Sequence, residues 1–403
     1  MKTKIQLNGR HWETGSIHNA LALQGVKAPH TGKPYSEALL LGVSGGIAFG
    51  YFTFEYKGYL PHVALLTRNT FNPFPTILER LGIAQDVQQT NKAETAEKNL
   101  QNALETGLVP ILWADQFSLP YNSLPANEPM WGMTPILALE TDGKSVTVAD
   151  RSSQPFQLSM AELTTARGRV KDDKYRLITL DAAQPAKLAS AVHKGICQTI
   201  SLFTEEPPRG GRDNFGFAAY EKLAGLLVNT RNKQSWERFF APGIRMYHAL
   251  AGSSVQPGAY HWINTWGSSD GADRGLYADF LIEAAEILKK PFLKEAAEKF
   301  RQSHQLWLAF AEALLPDGIP LLGESKKLIR KKHDLFINKG ESALSEIKQI
   351  NSRLDENLSR SEKDFPLSSA QAAEFRANLR DILLSIHAEE RQAVDLLQNA
   401  ILS

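Results

Sequence analysis

Cysteine is nearly absent from this chain: its 403 residues hold one, Cys197. A single thiol excludes an internal disulfide and a multi-thiolate zinc site. Long apolar runs are missing too. Stretches such as Ala38 to Val43 fall far short of the ~20 residues that a bilayer-spanning helix needs. The amino terminus (MKTKIQLNGRHW) is polar and lacks the apolar core of a signal peptide. Charge of one sign is also lacking. With 45 basic against 44 acidic side chains the formal charge is +1, so no overall field draws the chain to nucleic acid or to an anionic membrane. A soluble cytoplasmic protein with neither as partner is expected. The densest basic run, Lys326, Lys327, Arg330, Lys331 and Lys332, opens a helical stretch and reads as a solvated face. No internal repeat and no low-complexity tract interrupts the chain.

What is present is an ordinary globular balance, 43% apolar and 22% charged, in a chain long enough for two or three domains at roughly 100–200 residues each. Over the first 180 or so residues, strand-like and helix-like segments alternate. Strands are expected at Ile5–Leu7, Ile47–Tyr56, His62–Thr67, Leu108–Ala114 and Tyr175–Leu180, where β-branched and aromatic residues collect. Helices are expected at Thr14–Gln24, Tyr35–Leu41, Thr76–Leu81 and Ala93–Glu105, several of them closed by glycine. The turn Thr141-Asp142-Gly143-Lys144 between Thr134–Glu140 and Ser145–Ala149 predicts a β-hairpin, because glycine accepts the positive φ of such turns. Helices early and an antiparallel sheet late point to an α+β domain. After Gln184 the pattern turns helical: Leu188–Phe203, Asn214–Leu227, Leu276–Leu288 and Phe292–Leu314 show apolar spacing of three and four. The linker 205–211 (EEPPRGG) reads as a hinge. The tail reads as a helical hairpin. Leu344, Ile347, Asn351, Leu354 and Leu358 line one arm, Phe375, Leu379, Ile382 and Ile386 the other, and Pro366 sits between them.

The segment His11 to Tyr56 (HWETGSIHNALALQGVKAPHTGKPYSEALLLGVSGGIAFGYFTFEY), the stretch WADQFSLPYN from Trp113 to Asn122, and the hairpin ending at Asp150 resemble the amino-terminal domain of the BtrH family. The region Arg274 to Leu281 (RGLYADFL) looks like the helical domain of unknown function that commonly follows it. The resemblance implies a papain-like fold with a cysteine at the start of the first helix, a histidine entering a later strand and an acid on the next strand. It also implies transfer of an acyl group from an acyl-carrier-protein thioester to an aminoglycoside amine. A helix amino terminus lowers a thiol's pKa, an imidazole takes the proton, and the thiolate exchanges acyl groups. Here Trp12-Glu13-Thr14 stands where the resemblance implies Cys-Glu-Thr. Indole offers an N–H donor and no nucleophile. No histidine stands near Met133-Thr134. Only the acid remains, as Asp150. Gln6, six residues before Trp12, has the spacing of an oxyanion-hole glutamine.

Other residues are weighed against ordinary roles. Ser16 or Thr14, with His11 or His18 nearby, is the arrangement a rebuilt nucleophile would use, although serine and threonine also cap helices. Glu13, Asp115, Tyr121 and Thr134 join Trp12, His11 and His18 as expected substrate contacts. Zinc held by His11, His18, His30 and Glu13 would lack any recognised spacing, and no cofactor or metal is expected. Cys197 and His193 share a helical face, yet a lone helical cysteine is ordinarily a small buried hydrophobe. The turn Gly42–Gly50 (GVSGGIAFG) lacks the lysine of a phosphate loop and reads as structural. The aromatic stretch with Tyr260, His261, Trp262, Trp266 and Asp270 is a second place for ligand or partner contact.

The expectation is therefore a papain-like α+β domain over residues 1–182, a helical domain over 183–320 and a helical hairpin over 321–403. Its function would be BtrH-like, in specialised metabolism, with an acyl or amine substrate or an acyl carrier protein bound in a cleft that has lost its cysteine. Two rivals stand beside it. One is an active acyltransferase or amidohydrolase working through Ser16, Thr14 or proximity. The other is a structural or regulatory partner that dimerises through the C-terminal helices.

Overall fold

In the computed structural model, which describes residues 6–124, 130–205 and 207–402, the chain begins with α1 (Trp12–Leu23), α2 (Glu37–Val43), β1 (Ile47–Phe54) and β2 (His62–Arg68). It continues with α3 (Pro73–Leu81), β3 (Gln85–Gln88), α4 (Ala93–Glu105), β4 (Ile111–Asp115), β5 (Met133–Thr141), β6 (Ser145–Ala149), β7 (Phe156–Ser159), α5 (Met160–Gly168) and β8 (Leu177–Leu180). Helices then follow one another: α6 (Leu188–Thr204), α7 (Gly216–Val228), α8 (Trp236–Phe239), α9 (Ile244–Ala251), α10 (Ala259–Asn264), α11 (Arg274–Leu288), α12 (Leu293–Leu314), α13 (Pro320–Lys339), α14 (Leu344–Lys363) and α15 (Ser369–Leu402). The fold class is α+β with a helical C-terminal region. No described helix is long and apolar enough to cross a membrane.

Two compact units form, each drawn from three stretches of chain. The first takes the residues up to 40, 74–191 and 332–348; the second takes 41–73, 192–331 and the residues from 349 on. The first unit is built on an antiparallel sheet in the order β3-β8-β4-β5-β6-β7. Strand residues alternate between faces. Leu112, Ala114, Ile136, Ala138, Val146 and Val148 join Leu100 of α4 and Leu163 of α5 in one apolar cluster. Ile111, Leu137 and Ala149 stand abreast in register, all buried. They serve the other face, where α1 packs on β5.

Several expected boundaries move, each for a local reason. Gln6 and Leu7 lie in irregular chain, because the N–H groups of Asn8 and Gly9 go to the side chain of Asn19 instead of a strand; Ile5 lies outside the described residues. The strand expected from Leu108 begins at Ile111, since Val109 donates to Gln24 and Pro110 has no N–H. Tyr175 adopts a left-handed φ of 52°, so its strand starts only at Leu177. The edge strands β3 and β7 have four residues each, too few for a periodic signal. α5 was written in the sequence by its capping box, Ser159 with Glu162. Lys326 is not solvated: it is 3% exposed and paired with Glu312 and Asp317.

The second unit joins the β1–β2 hairpin to helices, with α15 against α7 and α12, and α11 against α12. The turn before β1 is structural, since a Cβ on Gly46 (φ 69°) would lie 2.1 Å from the hydroxyl of Thr199. Tyr260 and Ile263, part of the aromatic stretch, are core residues. On α15 the buried stripe runs Ala372, Arg376, Leu379, Leu383, Ile386, Glu390, one row away from Phe375 and Ile382. The charge in that stripe has a partner: Arg274 and Glu390 are both wholly buried. The guanidinium grips both carboxylate oxygens at 2.7 and 3.1 Å, and Tyr220, Ser303 and Trp307 also donate to them. Burial by itself would raise the Glu390 carboxyl; the Arg274 charge and these hydrogen bonds outweigh it and hold Glu390 below its ordinary value of 4.5.

Removing one partner strands the other charge in the core. Glu390→Gln should cost about 3–5 kcal/mol in denaturant unfolding at pH 7. Because the folded pKa is depressed, this contribution is complete above the ordinary carboxylate value and is lost as pH falls through the folded one. The gap between wild type and variant should therefore narrow below pH ~4.5; a gap constant down to acid unfolding would contradict this assignment.

Candidate functional site

α1 is anchored before it begins. Gly15 lets the preceding chain lie against the helix, since a Cβ there would meet the Arg10 nitrogen at 2.7 Å and Gly9 at 2.8 Å. His11 is the N-cap, its Nδ1 accepting from the Glu13 N–H. Glu37, first residue of α2, then latches this end. Its carboxylate accepts from the Arg10 N–H at 2.7 Å, the His11 N–H at 3.0 Å and the Thr14 hydroxyl at 2.7 Å. Trp12, the first residue of α1, is thereby fixed and 7% exposed.

Asp150 and Arg151 directly follow the β6 strand. One Asp150 oxygen accepts from the backbone N–H of Arg151 at 2.7 Å and from its Nε at 3.1 Å. The guanidinium lies 4.4 Å from the centre of the Trp12 ring and 4.8 Å from that of Phe336. It is a cation between two aromatic faces. Phe336 also packs against Phe156, with ring centres 5.5 Å apart, and Phe156 stacks on Tyr121 at 4.1 Å. Tyr121 sits beside Asp150; burial first, and that carboxylate second, push its hydroxyl well above the ordinary range, so the phenol stays neutral. Residues 152–157 grip the same C-terminal stretch as Phe336. The carbonyl of Ile337 accepts from Ser153 N–H at 2.8 Å, Ser153 Oγ at 2.9 Å and Ser152 Oγ at 3.2 Å.

The remaining expected residues take these places. Ser16 is buried and donates to the carbonyl of Pro135 at 3.1 Å. His18 points Nδ1 at the carbonyl of Tyr35, 2.6 Å away. Thr134 is the second residue of β5, after Met133. Asp115, wholly buried at the end of β4, ties down the following loop by accepting from Ser118 Oγ and Gly132 N–H at 2.7 and 2.8 Å. Gln6 is exposed. The structure thus gathers Trp12, Asp150 and Tyr121 around Arg151, ties Thr14 and His11 to Glu37, and turns Ser16 and His18 toward backbone carbonyls. Cys197 Sγ lies 3.7 Å from His193 Nδ1 on α6, in the second unit.

Sequence reasoning missed Arg151, Glu37 and Phe336. Arg151 had a signal, since it follows the acid directly. Glu37 had a weaker one, as an acid opening a helix. Phe336 had none: 185 residues separate it from Arg151, and nothing local pairs them.

Chemically, the assembly offers a fixed cation and a neutral phenol, with Asp150 already engaged by Arg151 and an indole at the start of α1. The family model for butirosin biosynthesis protein H, N-terminal, matches residues 11–151. A comparison with curated proteins finds no match. Residues 11–151, about a third of the chain, match that family model and supply Trp12, Asp115, Tyr121, Asp150 and Arg151.

Proposed function

We propose that this is a non-catalytic BtrH-like protein of specialised metabolism. In this reading its first unit is a papain-like domain whose reaction centre has become a binding site for an acyl or amine substrate, or for the carrier protein that delivers one. The observation that carries the reading is the stack of Trp12, Arg151 and Phe336. Covalent acyl transfer needs a nucleophile and a base within hydrogen-bond reach of each other. At the start of α1 stands an indole, 7% exposed, with a guanidinium on its face. The start of β5 offers Met133 and Thr134, neither of which can act as the base that an imidazole supplies.

The hydroxyls nearby support the same reading. Ser16 gives its proton to a backbone carbonyl, which cannot carry it away as a base does. Thr14 gives its proton to Glu37, an acceptor that also holds the chain before α1. Both hydroxyls are bound into the scaffold of the site.

Incubated with an acyl-carrier-protein thioester and an amine, the protein should show no covalent adduct by intact mass and no turnover above the uncatalysed rate. Alkylating Cys197 should change neither result. An adduct on Ser16 or Thr14 that disappears in Ser16→Ala or Thr14→Val would overturn the proposal. Trp12→Cys restores the residue type that the resemblance implies, yet it should remain inactive toward the same thioester, since no imidazole stands at the start of β5, where the resemblance implies one, and the neighbouring His11 spends its Nδ1 on the Glu13 N–H as the N-cap. Thr14→Val should lower stability by about 1.5–3 kcal/mol, the range for a hydrogen bond to a charged group, as read from denaturant unfolding.

A further inference from the structure

We propose that Arg151 is an oxyanion receptor: the outer edge of its guanidinium, Nη1 with Nη2, takes the carboxylate of a small acid. This deepens the preceding reading and rests on it, choosing an acid over an amine as the ligand.

A guanidinium has two faces and three edges. The rings of Trp12 and Phe336 lie against that of Arg151, their centres 4.4 and 4.8 Å from its central carbon. Asp150 takes Nε. Nη2 makes one long contact, 3.5 Å to the side-chain oxygen of Asn122, weak at that length. Nη1 has no hydrogen-bond partner among the described residues. The side chain keeps 19% of its surface exposed. The edge of Nη1 with Nη2 carries two parallel N–H donors, the fork that matches the two oxygens of a carboxylate.

The preparation of the fork separates this site from an ordinary surface arginine. A free arginine loses much rotamer freedom when it grips an anion, whereas Arg151 is already packed against two rings and held at Nε. Trp12 also places the positive end of the α1 dipole within a side chain's length of the stack. The two carboxylates that this site holds closest are already engaged. Asp150 is occupied by Arg151, and Glu37 accepts three hydrogen bonds of its own.

Binding can be read without any reaction. Thermal unfolding of the full chain in acetate, in inorganic phosphate and in chloride at matched ionic strength should show a saturable rise in Tm with an oxyanion over chloride. A stronger response to acetate assigns the ligand to carboxylic acids; a stronger response to phosphate assigns the same fork to a phosphate-bearing ligand. Arg151→Lys keeps the charge and loses the fork, and should weaken the response at least about tenfold. Labelling of wild-type Arg151 by phenylglyoxal, followed by peptide mass spectrometry, serves independently of any variant's folding; acetate should protect that residue. Equal Tm shifts in acetate and chloride, or labelling of Arg151 that acetate does not slow, would overturn the receptor. Neither result touches the non-catalytic reading, which falls only to an acyl adduct or turnover.

Discussion

A planar cation held between two aromatic rings governs the first unit. A guanidinium is weakly hydrated across its faces and strongly hydrated at its edges, so Trp12 and Phe336 can cover the faces at little desolvation cost while the edges still need partners. Each neighbour is placed by its own backbone. Glu37 latches the chain before α1 and so fixes Trp12. The end of β6 delivers Asp150 to Nε. Removing any of these would leave a half-exposed cation beside an apolar surface. The indole that stands where the family resemblance implies a thiol is thus part of a new arrangement, with a cation of its own to hold.

Two of the arginines gripped by carboxylates, Arg274 and Arg151, differ in an instructive way. Arg274 and Glu390 are both wholly buried, and the other Arg274 donors reach the carbonyls of Thr67, Ala272 and Ala48. A pair so completely surrounded has no donor left for a ligand. Its charges are neutralised where they stand, so it serves the fold of the second unit. Arg151 is paired with Asp150 at Nε alone and remains partly exposed. The same two residue types give a closed structural lock in one unit and an open fork in the other, and the number of donors left over decides which.

Much of the scaffold was legible because it is local. The hairpin turn at Gly143, with φ of 85°, follows from two adjacent residues, and α4 follows from its spacing and the glycine after it. The place that the resemblance gives to a cysteine could likewise be named from the sequence, since Trp12 stands there. The stack around that tryptophan was not legible. Arg151 looks like any charged residue after a strand, and its meaning appears only when Phe336 arrives from far along the chain. The α15 stripe failed for a related reason: Arg376 and Glu390 lie in its buried row, and a search for apolar periodicity passes over charges that tertiary partners neutralise.

The arrival of Phe336 has a physical cause as local as any turn. Ile337 is near the end of α13, where the last carbonyls of a helix have no intrahelical partner. Residues Ser152 and Ser153 leave the end of β6 with donors that the sheet does not use. The two ends satisfy each other at the Ile337 carbonyl, and Phe336, one residue earlier, is carried against Phe156 and Arg151. The matched segment 11–151 contains the cation and one of its aromatic faces, while the other face comes from residues outside it. A site assembled this way is a property of the first unit as a whole: the matched segment supplies Trp12 and Arg151, and the C-terminal stretch supplies Phe336.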